Sequence, residues 1–224
     1  MEKHYCPFCK EYLEFIPYGT EKRPHARCPK CGSFERTRLL FFIYKKLNIS
    51  GNVLHISPEK SVYYLMKKNK NIHYTCCDLH PELYAFATDC KKENGMTLSF
   101  ADNQFDFVIH NQVIEHVPDD KLFILECLRV LKPNGKLIIN LPYDPYSSSI
   151  PSNEQLLPQE RAELFYQEDH LRLYGYDYLK TLSDKRWNIE AIDTNIFSED
   201  EIREMRLKRY VGLQDAYVLI TQRP

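Results

Sequence analysis

Two cysteine pairs dominate the start of the chain. Cys6-Pro7-Phe8-Cys9 and Cys28-Pro29-Lys30-Cys31 are CxxC knuckles separated by 18 residues. Four thiolates so spaced satisfy a tetrahedral Zn²⁺, and each two-residue spacer lets backbone amides turn toward the sulfurs. The gap falls within the ~15–20 residue window of ribbon-type sites. A full cysteine set leaves no open coordination position, so the expected ion is structural. Four unrelated thiols, or a redox pair, is the competing reading. His4 and His25 stand close by as substitute ligands, but four cysteines do not need them.

A second set of chemically capable residues lies further along. Asp78 falls 20 residues after Pro58, an offset at which a carboxylate at a strand end accepts both hydroxyls of an adenosine ribose. Alone this is weak, because an Asp after a strand is often a turn or helix cap.

These residues require a scaffold. From Asn52 onward, short apolar runs alternate with helical periodicity, which predicts a parallel α/β sheet. Strands are expected at Val53–Ile56, Ile72–Cys77, Tyr84–Thr88, Phe105–Ile109 and Leu137–Leu141. Between them, Ser61 should cap one helix, and Asp119 or Asp120 should open another that runs through Leu131. Upstream, Ser33 should cap a helix bearing Leu39, Leu40, Ile43 and Leu47, ended by Gly51. Arg36 and Arg38 near the start of that helix gain nothing from its dipole and need partners. These are either a nearby carboxylate or, more sharply, an anionic ligand group between ribbon and main domain. The organisation expected is a zinc ribbon with a linking helix over 1–50 and a main domain over 51–224.

Composition sets the outer limits. Apolar residues are 43% of the 224, enough for a real core, so overall disorder is excluded. No run of 18 apolar residues is present and the first residues do not read as a signal peptide, so a cytoplasmic protein is expected. Eight cysteines then argue for thiols or metal ligands over disulfides. Cys76, Cys77 and Cys127 sit in apolar runs and read as buried thiols. The 30 basic and 31 acidic residues nearly cancel, which removes bulk charge as a reason for nucleic-acid binding. The charge is uneven, however: residues 1–50 carry ten Lys/Arg and five Glu, a net of +5.

Three segments together are more specific than any single residue. They are Phe100-Ala101-Asp102-Asn103-Gln104-Phe105-Asp106, Val113-Ile114-Glu115-His116-Val117 and Arg129-Val130-Leu131-Lys132-Pro133-Asn134-Gly135. The chain in this region resembles the class I S-adenosylmethionine-dependent methyltransferases of the type-11 group. With the knuckles, Cys31-Gly32-Ser33-Phe34-Glu35-Arg36 and Gln167-Glu168-Asp169-His170-Leu171-Arg172-Leu173-Tyr174-Gly175, it is similar to a zinc-ribbon subgroup of bacterial methyltransferases. The resemblance implies a Rossmann-like seven-stranded sheet whose last strand is antiparallel, with final strands at Asn188–Asp193 and Asp215–Thr221. It also implies S-adenosylmethionine as cofactor. Asp78, with Leu79 beside it, would hold the ribose, Asp89 and Cys90 would flank the adenine, and Asn111 and Gln112 would lie near the methionyl part. The chain departs from that family in its first loop, Ser57-Pro58-Glu59-Lys60-Ser61, which has no glycine. There Glu59 either pairs with the cofactor's amino group or sits exposed in the first turn of a helix.

Methyl transfer to a hydroxyl or amine needs alignment, exclusion of water and removal of a proton. His116 and His170 are the candidate bases, with Asp169 placed to orient His170. The connection near 143–174 is long enough to form a substrate lid, with Tyr143 and Tyr174 as aromatic walls and Arg172 as a grip for an anionic acceptor. These features predict a small metabolite or sugar-like acceptor, methylated on oxygen or nitrogen. RNA methylation with the basic ribbon as docking arm, and a non-catalytic module that only binds the cofactor, are the alternatives.

Overall fold

The computed structural model describes residues 2–19, 23–192, 197–209 and 212–223. At the N-terminus, β1 (His4–Cys6) pairs antiparallel with β2 (Glu11–Leu13), and β3 (Ile16–Tyr18) with β4 (Arg23–Arg27). Each knuckle closes on itself. Lys10 N–H donates to the Cys6 carbonyl at 2.8 Å and Gly32 N–H to the Cys28 carbonyl at 3.0 Å.

Helix α1 (Glu35–Lys46) follows the second knuckle. Phe34, not Ser33, is its N-cap, with its N–H bonded to Thr37 Oγ1 at 2.7 Å. Ser33 is buried and turns its hydroxyl to the sulfurs of Cys6 and Cys31. The helix stops at Leu47, and Gly51, expected to end it, opens the next strand at φ +79°. A Cβ there would collide with the Asp106 carboxylate, so any other residue would have to displace it as well as bear the left-handed backbone.

The main sheet contains β5 (Gly51–Ile56), β6 (Ile72–Asp78), β7 (Lys91–Lys92), β8 (Phe105–Asn111), β9 (Leu131–Asp144), β10 (Tyr174–Gly175), β11 (Trp187–Ala191) and β12 (Gln214–Gln222). Seven of these lie in the order β11-β12-β9-β8-β5-β6-β7, and β10 pairs with β9 off this path. β12 runs antiparallel to both its neighbours, and the remaining pairings are parallel. The expected final strands are thus present with slightly different ends; Asp193 lies outside the described residues.

Period-two alternation divides the strand residues between two cores. Leu54, Val108, Leu137 and Val218 face one, joined by Phe123, Ile124, Cys127 and Leu128 of α3 (Asp120–Val130). Val53, Ile109, Ile138 and Tyr217 face the other, where α1 brings Leu39, Leu40 and Ile43, and α2 (Lys60–Lys68) brings Val62 and Met66. Helix α1 therefore completes a layer of the main domain while carrying the ribbon. Cys76, Cys77 and Cys127 are buried, and burial raises each thiol above its ordinary value.

The third strand is a correction. Residues Tyr84–Thr88 form no strand; Tyr84 and Phe86 pack around Tyr63, Cys76 and Ala87. The edge strand is Lys91–Lys92, aligned with Cys77 and Asp78 of β6. The remaining helices, α4 (Pro158–Phe165), α5 (Tyr178–Leu182) and α6 (Glu199–Met205), belong to the connections after β9, β10 and β11 respectively. Arg38, fully buried in α1, joins ribbon to main domain. It donates to the carbonyls of Ala26 and Ser33 on one side and of Met205 and Arg206 on the other, at 2.7–3.2 Å.

Candidate functional site

The carboxyl ends of β5, β6 and β8 meet at one edge, where ligands sit in open α/β sheets. Ser57, just after β5, takes φ +55°. A serine thus makes the left-handed turn usually given to glycine, at a cost of about 1 kcal/mol. Its Oγ donates to Asp78 Oδ2 at 2.5 Å, Tyr84 Oη donates to the same oxygen at 2.9 Å, and His80 N–H donates to Oδ1 at 2.7 Å. Three donors fix the Asp78 carboxylate, which has about four acceptor positions in all. Pro58 is buried behind this turn, and Leu79 is exposed beyond it.

Glu59 is neither a solvated helix residue nor a free carboxylate. Arg36 Nη2 of α1 lies 2.8 Å from its Oε1, and Asn111 Nδ2 at the end of β8 donates to its Oε2 at 2.5 Å. The Arg36 carbonyl accepts from Tyr217 Oη at 2.8 Å, so the linking helix is tied into the first loop. Of the partners considered for Arg36 and Arg38, Arg36 finds a carboxylate and Arg38 finds backbone carbonyls.

Gln112 continues this polar floor. It stands at φ +54°, donates to Asn140 Oδ1 at 2.9 Å and to Asp215 Oδ1 at 3.2 Å, and accepts from Arg209. Arg209 holds Asp215 at 2.6 Å. Beside it is a cavity of about 340 Å³ lined by Tyr143, Tyr178, Lys208, Arg209 and Asp215 among others. Tyr143 therefore lines a cavity. Arg209, Asp215 and Asn140 were not anticipated, because nothing local in their sequence marks them.

Two other expected substrate contacts are corrected. Arg172 is 5% exposed; its Nη1 lies 2.6 Å from Asp120 Oδ2, and its Nη2 donates to the carbonyls of Val117 and Pro118. Tyr174 is buried and donates to the same Asp120 oxygen at 3.0 Å. Both hold the connection to the start of α3 and leave no group to grip an acceptor.

Asp89 and Cys90 also fall elsewhere. Asp89 precedes β7 instead of ending a strand, and its carboxylate is held by Tyr63 and Lys67 of α2. Cys90 packs with the aromatic cluster around Tyr63 and Cys76. The residues that follow β7 are Glu93 and Asn94, with Glu93 N–H bonded to the Asp78 carbonyl at 2.9 Å.

His116 and His170 come together although 54 positions apart, their rings 4.9 Å centre to centre. Asp169 does not orient His170. His170 Nδ1 lies 2.9 Å from the Phe165 carbonyl, while Asp169 offers its carbonyl and carboxylate to His116 Nδ1 at 3.1 and 3.5 Å. Burial, followed by the charge of His116, pushes His170 down to about 4. The adjoining Glu115 is 1% exposed, and burial pushes it up to about 7.

The four knuckle cysteines meet as expected from their spacing. Their sulfurs all lie within 4.8 Å of one another, with Cys6–Cys31 at 3.5 Å and Cys9–Cys28 at 3.9 Å. A tetrahedron with bonds of about 2.3 Å has edges of about 3.8 Å, so the donors fit a zinc ion.

Residues 58–139 match the family model described as a methyltransferase domain. A ubiquinone biosynthesis O-methyltransferase of Xylella fastidiosa is 26% identical over 136 residues, covering 55% of this chain and 52% of its own. A demethylmenaquinone methyltransferase of Halalkalibacterium halodurans is 30% identical over 125 residues, covering 56% and 46%. The chain thus spans about half the length of the curated relatives it matches. In fold it is similar to the [4+2]-cyclase SpnF, with a TM-score of 0.57 at 15% identity over 94% of this chain and 88% of that one.

Proposed function

We propose that this chain, which carries a class I S-adenosylmethionine-dependent methyltransferase domain, methylates a hydroxyl of a small-molecule acceptor. The observation that carries the reading is Asp78. Its carboxylate ends β6, is oriented by Ser57, Tyr84 and His80, and keeps acceptor capacity for a ribose hydroxyl. When bound, S-adenosylmethionine supplies an electrophilic methyl group. Ser57, Pro58, Asp78 and Leu79 would hold its ribose side. Asn111 and Gln112 would lie beside its methionyl part, with Glu59 steadied behind them by Arg36.

The acceptor would enter beside Tyr143 and Tyr178, whose rings lie 5.1 Å apart, with Arg209 and Asp215 as the polar side of the cavity. Its volume of about 340 Å³ suits a small ring-sized acceptor. The Xylella relative, an O-methyltransferase of ubiquinone biosynthesis, favours oxygen over nitrogen. Cys6, Cys9, Cys28 and Cys31 would hold a structural Zn²⁺ that stiffens the ribbon against α1. The test is transfer of labelled methyl from S-adenosylmethionine to a panel of phenols, catechols and amines. Label on a hydroxyl-bearing acceptor, lost in Asp78→Ala, supports the reading; turnover of amines alone overturns the acceptor class.

A further inference from the structure

Glu115 poses a problem that its neighbours answer. Its carboxylate is 1% exposed, and neither oxygen has a hydrogen-bond partner. A buried carboxylate is stable only when paired, protonated or bound to a metal. The nearest groups are two imidazole rings, with the guanidinium charges of Arg36 and Arg209 further off: one ligand atom from each of Glu115, His116 and His170 lies within 4.8 Å of the others.

The orientation of both rings is set from behind. His170 places Nδ1 2.9 Å from the Phe165 carbonyl, and His116 places Nδ1 3.1 Å from the Asp169 carbonyl. A carbonyl only accepts, so each Nδ1 carries the hydrogen and each Nε2 is left with its lone pair. His116 Nε2 stands 3.9 Å from Glu115 Oε1. Histidine with its far nitrogen bonded to a backbone carbonyl or carboxylate is the usual outer shell of a metal site. Two lone pairs thus converge on a carboxylate with no hydrogen-bond partner, which is the donor set of a metal ion.

We propose that Glu115, His116 and His170 form a divalent transition-metal site at the carboxyl end of β8, separate from the cysteine site. Two imidazoles and one carboxylate suit Zn²⁺ or Co²⁺, and not Mg²⁺ or Ca²⁺, which favour all-oxygen shells. Ligand atoms around an ion with bonds of about 2.1 Å stand about 3.4 Å apart. The rings must therefore close by an ångström or so, and the partly exposed His116 has room to swing. Three protein ligands leave a position for a non-protein oxygen, from water or an acceptor. The metal site follows from the side chains alone and stands whether or not methyl transfer is the reaction; only an acceptor as the fourth ligand rests on the proposed function.

Metal content tests it without any activity measurement. Full-length protein equilibrated with buffered Zn²⁺ and passed through a desalting column should hold about two zinc ions per chain by mass spectrometry. Glu115→Gln, His116→Ala and His170→Ala should each hold about one. Co²⁺ added to wild type carrying one equivalent of zinc should give weak d–d bands with no sulfur charge-transfer band, absent in His116→Ala. The partly exposed position of His116 makes that variant the one expected to stay folded, as circular dichroism would verify. One zinc ion in wild type, or a second ion retained by folded His116→Ala, overturns the proposal.

Discussion

Replacing Arg172 separates two roles that the sequence alone left open. In the structure the guanidinium neutralises Asp120 at 2.6 Å and caps the carbonyls of Val117 and Pro118, with both charged groups largely buried. Arg172→Met keeps much of the side-chain volume but leaves the Asp120 carboxylate held by Tyr174 Oη alone among the described residues. Breaking a buried pair by removing one member costs about 3–5 kcal/mol. At roughly 2–4 °C per kcal/mol for a chain of this size, Tm should fall by about 6–20 °C. Differential scanning fluorimetry reads this directly. Asp120→Asn combined with Arg172→Met should recover part of the loss, because the double variant no longer buries an unpaired charge. Cofactor affinity, measured below the lowered Tm, should be unchanged. A Tm within 2 °C of wild type, together with a raised KM for an acceptor, would refute the structural role and restore Arg172 as a grip.

Three other expectations are shorter to state. His55 and His110 are fully buried, and burial lowers each to about 3. The unfolded chain therefore binds more protons than the folded one between about pH 6.5 and 3, so stability is intact above 6.5 and falls with acid by up to about 1.4 kcal/mol per pH unit for each histidine. Denaturant titrations at stepped pH should show this, with a shallower slope in His110→Leu. Cys9→Ser should abolish zinc binding at the proposed ribbon site and expose the residues ahead of α1 to limited proteolysis, while the Cys6–Cys31 contact alone should not protect them. Arg38→Met should destabilise by several kcal/mol, since four backbone carbonyls lose a buried donor; a shift under 1 kcal/mol in urea midpoints would count against the weld.

What the sequence made legible depended on whether the signal was local. Val53–Ile56 and Phe105–Ile109 are apolar runs bounded by polar turns, and both are strands of the sheet. Lys91–Lys92 is a strand only because it lies against Cys77 and Asp78 at a sheet edge, and two lysines carry no periodic signal. The aromatic stretch Tyr84–Thr88 looked more like a strand, but its rings serve a packed loop. Misplacing that strand also misplaced Asp89. The meeting of the four knuckle cysteines was readable because the spacing of two pairs is a local signal. Arg172 was not, since its partner Asp120 is 52 positions away and sequence shows charge without showing its neighbour. The meeting of His116 with His170 is hidden for the same reason, whereas the place of Asp78 at the end of β6 could be read because it closes a local apolar run.

The central claim is that Asp78 holds a nucleoside at the carboxyl end of β6. Calorimetric titration of zinc-loaded protein with S-adenosylmethionine and with S-adenosylhomocysteine, in wild type and Asp78→Ala, tests it most directly. Micromolar-range binding of both ligands by wild type, lost in a variant that keeps its fold, is the result predicted here. Equal affinity in wild type and Asp78→Ala, or no binding by folded wild type, would contradict it.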